Sequence, residues 1–266
     1  MRLYCIIGFL LTCASRILSA GETPAVNADA GYDLYLLIGQ SNMAGRGKVD
    51  DESKQSHPRV FVLNKENQWA PAVDPLHFDK PIAAVGPGLA FGKAMADANP
   101  QAKIGLIPCA VGGSSILAWA PGAPDAATKT HPYDDTLRRV RIALRSGTLK
   151  GILWHQGESD RATGVAATYG EKLTELIARL RKEFNAPDVP FVAGELGLLN
   201  EQNTEVTQNL NTILHSLTKT VKNYDCVSAS GLKDHGDKLH FDSASAREFG
   251  KRYAEAMRKL QGVTGK

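Results

Sequence analysis

Ser41 and His240 are the residues whose surroundings point to chemistry. The apolar run Asp33–Ile38 stops at Gly39, and Ser41 follows, flanked by the amides Gln40 and Asn42 and closed off by Gly45. A buried strand that ends in a glycine turn can present a hydroxyl as a nucleophile. The spacing departs from the G-x-S-x-G elbow, because Met43 stands where the second glycine would fall. At the other end of the chain lies Asp237-Lys-Leu-His240. A serine hydroxyl is a weak nucleophile until a base takes its proton. His240 can be that base, and an aspartate three residues before it can reach the imidazole Nδ1 from one tight turn. Asp237 would then fix the tautomer and stabilise the imidazolium, giving a triad in the order serine, aspartate, histidine. His235 is a rival base, but it adjoins Asp234, and adjacent side chains diverge.

Acyl transfer through a serine also needs donors for a developing oxyanion. The Ser41 amide is one. Gly113 supplies an N–H that no side chain obstructs, and Gly112 is the alternate if the turn shifts by one residue. Glu158 and Asp160 share a loop and admit two readings. They can brace that loop and its turn, or form a carboxylate pair for glycoside hydrolysis. Gln40 and Asn42 are expected to support the serine loop. Trp119, in a Pro/Gly-rich stretch near Gly113, is a candidate sugar platform, with packing as the alternative.

These residues need a scaffold that brings distant segments together. Expected strands are Asp33–Ile38, Ile104–Pro108, Gly151–His155, Pro190–Gly194 and Asp225–Ser228. Between them lie amphipathic stretches at Gly88–Asp97, Asp135–Arg145, Ala166–Phe184 and Thr204–Lys222, with a last one at Ser243–Leu260 after the capping Asp242. Arg59–Leu63 and Gln68–Ala70 read as an inserted hairpin. Strands alternating with helices imply an α/β fold with a parallel sheet covered on both faces. Ligands of such sheets collect at the carboxyl ends of the strands. Ser41, Gly112-Gly113 and Gln156–Glu158 all follow strands, and Asp237–His240 follows the last one.

Four blocks in this order resemble one family: Gly39-Gln-Ser-Asn-Met-Ala-Gly45, Gly112-Gly113, Trp154-His-Gln-Gly-Glu-Ser-Asp160 and Asp237-x-x-His240-Phe-Asp. They are similar to the SGNH/GDSL esterases, and within them to the sialate O-acetylesterase and acetylxylan esterase branch, from about Asp33 to about Leu260. The resemblance implies a three-layer α/β/α sandwich with a flavodoxin-like central parallel sheet. It implies Ser41 as nucleophile, Asp237 as the acid member and His240 as base. It makes the Gln156 side-chain amide the third oxyanion donor, where most relatives of the wider family carry an asparagine. The activity it implies is hydrolysis of acetyl esters on glycans, without a cofactor. A lipase or thioesterase of the same fold is the neighbouring alternative, and a catalytically silent carbohydrate-binding domain the distant one.

The chain has 266 residues, 43% hydrophobic and 22% charged, in the range of a globular protein with a sizeable core. A net charge of +3, with no basic run interleaved with aromatics, argues against a nucleic-acid partner. Met1–Ala20 reads as a cleavable signal: Arg2, a short apolar core from Leu3 to Ala14, and small residues at Leu18-Ser19-Ala20. Residues 21–30 read as a linker and 31–262 as one esterase domain, secreted or periplasmic and without a membrane span. After cleavage two cysteines remain, Cys109 and Cys226, and buried free thiols suit them better than a disulfide. Neither C-x-x-C nor H-E-x-x-H occurs, so no metal is expected.

Overall fold

Leu34, Tyr35, Leu36, Leu37 and Ile38 are all buried, so the strand that holds them must have helices on both sides. The computed structural model describes Met1, residues 31–161 and residues 164–262; the expected signal beyond Met1 and the whole of the expected linker at 21–30 lie outside these. In it, strand β1 (Tyr32–Gly39) is central. It pairs in parallel with β4 (Ile104–Pro108) on one side and β5 (Gly147–His155) on the other. Outward from β4 come β2 (Val60–Leu63) and β3 (Trp69–Pro71), the expected hairpin and the antiparallel edge. Outward from β5 come β6 (Phe191–Gly194) and β7 (Tyr224–Val227). The order β3-β2-β4-β1-β5-β6-β7 makes a seven-stranded, mostly parallel sheet.

Successive side chains of a strand point to opposite faces. Leu34, Leu36 and Ile38 accordingly join one core, with residues of α3 (Pro132–Ala143), α4 (Tyr169–Glu183) and α5 (Thr204–Ser216). Tyr35 and Leu37 join the other, with α2 (Pro87–Ala98) and α6 (Ser243–Leu260). The three-layer α/β architecture expected from the sequence is the one observed.

Some boundaries differ, for local reasons. β5 begins at Gly147, earlier than Gly151, because its first half carries the exposed Thr148 and Lys150 and so lacks a continuous apolar signature. It gains those residues by pairing with Tyr32–Leu34 before a register shift at Leu34/Tyr35. α5 stops at Ser216 and tightens into a 3-10 turn at Leu217–Lys219 instead of running to Lys222. α6 matches its expected bounds, with the Asp242 carboxylate accepting from the Ser245 N–H at 2.7 Å. Cys109 and Cys226 are both free.

Two aromatic side chains connect α6 to the end of β5. Phe249 packs edge-on against His155 with ring centroids 5.4 Å apart, and against Phe241 at the same separation. Phe241 immediately follows His240, so the apolar cluster seats the segment that carries the histidine. Truncating Phe249 to alanine should cost ~3–5 kcal/mol in urea unfolding, through lost burial plus a cavity. A cost below ~1 kcal/mol would show that this cluster does not support the segment.

Candidate active site

Gly39 ends β1 with φ +126°. A Cβ there would lie 2.0 Å from the His155 carbonyl oxygen, so only glycine lets the chain turn this close to the end of β5. The Gln40 N–H donates to that same oxygen at 2.8 Å. A single helical turn, α1 (Ser41–Ala44), follows, with the Met43 and Ala44 N–H groups donating to the Gln40 carbonyl. Among the described residues, the Ser41 N–H has no acceptor, as befits the first turn of a helix.

The segment before α6 is folded by its own carboxylates. Asp234 Oδ1 accepts from the N–H groups of Gly236 and Lys238, at 2.7 and 3.0 Å. Asp237 Oδ1 accepts from the N–H groups of Leu239 and His240, at 2.9 and 2.8 Å. That leaves Asp237 Oδ2 2.6 Å from His240 Nδ1. On the far side of the ring, His240 Nε2 lies 2.9 Å from Ser41 Oγ. Ser41, His240 and Asp237 are therefore brought into one hydrogen-bonded relay. Burial alone would raise the Asp237 pKa, but the His240 N–H, the His240 side chain and the Leu239 N–H outweigh it and hold the carboxyl below its usual value.

Asn42 joins the two segments. Its Nδ2 donates to the Leu239 carbonyl at 3.2 Å and its Oδ1 accepts from the Phe241 N–H at 3.1 Å, one bond on each side of His240. Nδ2 also donates to Glu158 Oε1 at 2.6 Å. Glu158 is thus a brace, the first of its two sequence readings. Asp160 has the same character: it accepts from Ser115 Oγ, the Ile116 N–H and Gln156 Nε2.

Gly112 and Gly113 separate cleanly. The Gly112 N–H is occupied by Asp79 Oδ2 at 2.8 Å, and its carbonyl accepts from Lys80 Nζ at 2.6 Å. Gly113, at φ +84°, has an N–H that donates to no described residue.

Gln156 departs from expectation. Its side chain is fully buried, with Nε2 facing Gln40 Oε1, the Ser114 carbonyl and Asp160 Oδ2 at 3.1, 3.0 and 2.7 Å. Those acceptors use both of its hydrogens, so in this structure the amide supports Gln40 instead of facing the serine. Gln40 Oε1 is held by Gln156 and by the N–H groups of Gly157 and Ser159, while Nε2 donates to no described residue. Trp119 is also corrected. It is fully buried, edge-on to Trp154 at 5.2 Å, and its Nε1 donates to Ser114 Oγ, so it cannot serve as a sugar platform.

Gln40, Ser41, Gly113 and His240 line one cleft of about 410 Å3. Gly112, Glu158, Ser159 and Leu239 also line it, with Arg46, Lys80, Ile82 and Arg161. No spacing signal marks these last four: they sit on irregular segments, and only the fold brings them to the serine. A larger groove of about 990 Å3 lies beyond β6 and β7, against α5, and contains no member of the relay.

Residues 31–259 match the family described as carbohydrate esterase, sialic acid-specific acetylesterase. The chain belongs to this carbohydrate esterase family. It is 30% identical over 244 residues to a probable carbohydrate esterase of Arabidopsis thaliana, covering 84% of this chain and 89% of that one. A solved Arabidopsis thaliana structure superposes with a TM-score of 0.75 at 29% identity, covering 85% and 97% of the two chains. The crystal structure of NanS has the same fold, with a TM-score of 0.71 at 18% identity and coverage of 88% and 99%. A carbohydrate acetylesterase from Xanthomonas citri matches at 0.64 and 19% identity, over 87% of this chain and 57% of that one. The fold is that of the SGNH hydrolases. Among the described residues no helix is long and apolar enough to cross a membrane.

The Asp237 carboxyl of this esterase carries a pH signature. A carboxyl held below its unfolded pKa contributes stability that is present above the ordinary carboxylate range and lost as pH falls through the depressed value. Thermal unfolding should therefore show wild type above Asp237→Asn at neutral pH, with the gap closing in acid below about pH 4. A gap that widens in acid would contradict this electrostatic environment.

Proposed function

We propose that this protein hydrolyses O-acetyl esters on carbohydrates, with Ser41 as the nucleophile. The observation that carries the reading is the relay itself, with Ser41 Oγ 2.9 Å from His240 Nε2 and Asp237 Oδ2 2.6 Å from Nδ1. Ser41 Oγ attacks the acetyl carbonyl as His240 Nε2 takes its proton, and Asp237 keeps the ring in the required tautomer. Collapse of the tetrahedral intermediate breaks the ester bond, and His240 returns the proton to the departing sugar oxygen. Water, activated by the same imidazole, then hydrolyses the acetyl-enzyme and frees acetate. The sequence of steps is complete without a cofactor.

The oxyanion is received by the N–H groups of Ser41 and Gly113. For the third donor we assign Gln40 Nε2 in place of Gln156. Gln40 lines the cleft with its oxygen clamped and its nitrogen uncommitted, whereas the Gln156 amide is consumed inside the protein.

Arg46, Lys80 and Arg161 on the cleft walls favour an anionic substrate. Asp79 neutralises Arg46, and Glu158, which also lines the cleft, is bonded to Asn42, so Lys80 and Arg161 are the cationic groups a ligand meets. An acetylated acidic sugar, the sialic acid that the family description names, fits better than neutral acetylxylan. The family match favours a carbohydrate ester over the acyl groups of a lipase or thioesterase, and a silent binding module has no use for a complete relay. The signal read at Met1–Ala20 and the linker at 21–30 suit a secreted or periplasmic enzyme whose esterase domain spans 31–262.

Acetate release from acetylated sialic acid should exceed that from acetylxylan, and Ser41→Ala should lower it by about 10⁴-fold or more with circular dichroism unchanged. A folded Ser41→Ala protein with more than about a tenth of wild-type activity removes the serine mechanism, and a preference for xylan removes the acidic substrate.

Gln40→Ala should lower kcat by roughly 10²–10³-fold with KM little changed, as expected for one lost oxyanion donor, and should also lower the melting temperature, because its Oε1 is the acceptor for three donors. Gln156→Ala should depress thermal stability together with kcat, because it strands buried partners. A Gln156→Ala enzyme of normal stability and low kcat, beside a normal Gln40→Ala enzyme, would return the role to Gln156.

A further inference from the structure

His235 has no task in the relay, yet it contacts the same carboxylate oxygen. Its Nε2 lies 3.3 Å from Asp237 Oδ2, the atom that His240 Nδ1 approaches at 2.6 Å. The two imidazole rings are nearly parallel, 5° apart in plane and 6.0 Å between centroids. One ligand atom each from His235, Asp237 and His240 falls within 4.8 Å of the other two. Neither familiar metal-binding spacing, C-x-x-C or H-E-x-x-H, marks these residues in the sequence. The turn through Gly236, at φ +111°, brings His235 back alongside the aspartate.

We propose that His235, Asp237 and His240 form an inhibitory site for a divalent transition metal of the zinc or copper class. Two imidazole nitrogens and one carboxylate oxygen suit these borderline ions, whereas magnesium and calcium prefer all-oxygen sites. Zinc held at roughly 2.0–2.2 Å by each atom needs the ligands about 3.3 Å apart. The short Asp237–His240 contact must open slightly, and His235, whose side chain is 38% exposed, has room to close in. Water fills the remaining position. When the ion takes the lone pair of His240 Nδ1, the single proton of the neutral ring is carried on Nε2, reached by exchange with solvent, and the hydrogen bond to Asp237 is lost. Nε2 then holds a proton in place of a lone pair, so His240 can no longer accept the one on Ser41 Oγ. The site would make the esterase metal-sensitive although its chemistry uses no metal. The inhibitory consequence rests on the function proposed above, whereas the binding does not.

The test uses tag-free protein and zinc chloride. Calorimetry on Ser41→Ala, which keeps all three ligands, should show one zinc per chain and no magnesium uptake at the same concentration. Adding His235→Ala should weaken zinc binding by about tenfold or more, since even partners outside the ligand set are worth 10–100-fold in affinity. With His235 present and Ser41 restored, zinc should abolish acetate release over the concentration range in which it binds, and EDTA should restore it. His235→Ala should require about tenfold more zinc or greater to lose its own metal-free rate. Equal zinc affinity with and without His235, equal uptake of magnesium, or a filled site with an undiminished rate would each overturn the proposal. If the metal-free wild type releases no acetate, the function reading fails, and the calorimetry still decides the site.

Discussion

The arrangement depends on a single side-chain amide. Ser41 and His240 lie 199 positions apart in the chain, on a turn after the first strand and a loop after the last. Their hydrogen bond requires that these two segments hold a fixed separation to a fraction of an ångström. Asn42 supplies that constraint by donating to the Leu239 carbonyl and accepting from the Phe241 N–H, so it brackets His240 from both sides. An amide suits the task because it donates and accepts at once; an ionised aspartate of the same shape could only accept. Its bond to Glu158 ties the bracket to the end of β5 and so to the sheet itself.

Beneath this clamp the structure uses two kinds of support. One is apolar: Phe241, Phe249 and His155 pack edge-on under the histidine loop, where burial lowers the His155 pKa despite the raising influence of Glu158. The other is polar: Gln40, Gln156, Asp160, Ser114 and Ser115 form a buried hydrogen-bonded group that joins the ends of β1, β4 and β5. Such a network rigidifies when satisfied and is costly when a member is removed. The strand ends at which ligands of parallel sheets collect are here cross-linked to one another, and the cleft is the space left above them.

Much of this was legible in the sequence, and the physical reason is locality. β1 and β4 announce themselves as continuous apolar runs because both faces are covered. Asp237 and His240 are readable as a pair because three residues on one turn suffice for contact. The legibility stops where partners are distant. The family resemblance makes Gln156 an oxyanion donor, and nothing near it in sequence reveals that Gln40 and Ser114 face its amide. Trp119 sits among proline and glycine residues, yet Trp154 lies across the fold to bury it. His235 was set aside because of its neighbour Asp234, and its contact with Asp237 needs the left-handed turn at Gly236. Arg46, Lys80 and Arg161 carry no motif, and only the assembled cleft gives them a role.

The central claim is that an acetyl group passes through Ser41. Rapid mixing with an activated acetyl ester, acid quenching within the first turnover and mass spectrometry of the digested protein tests it directly. The account predicts a transient acetyl group on the peptide that carries Ser41, formed within the first turnover and decaying as acetate appears. Acetate released at the wild-type rate with no acetylated peptide at any time, or with the acetyl group on a residue other than Ser41, would contradict it.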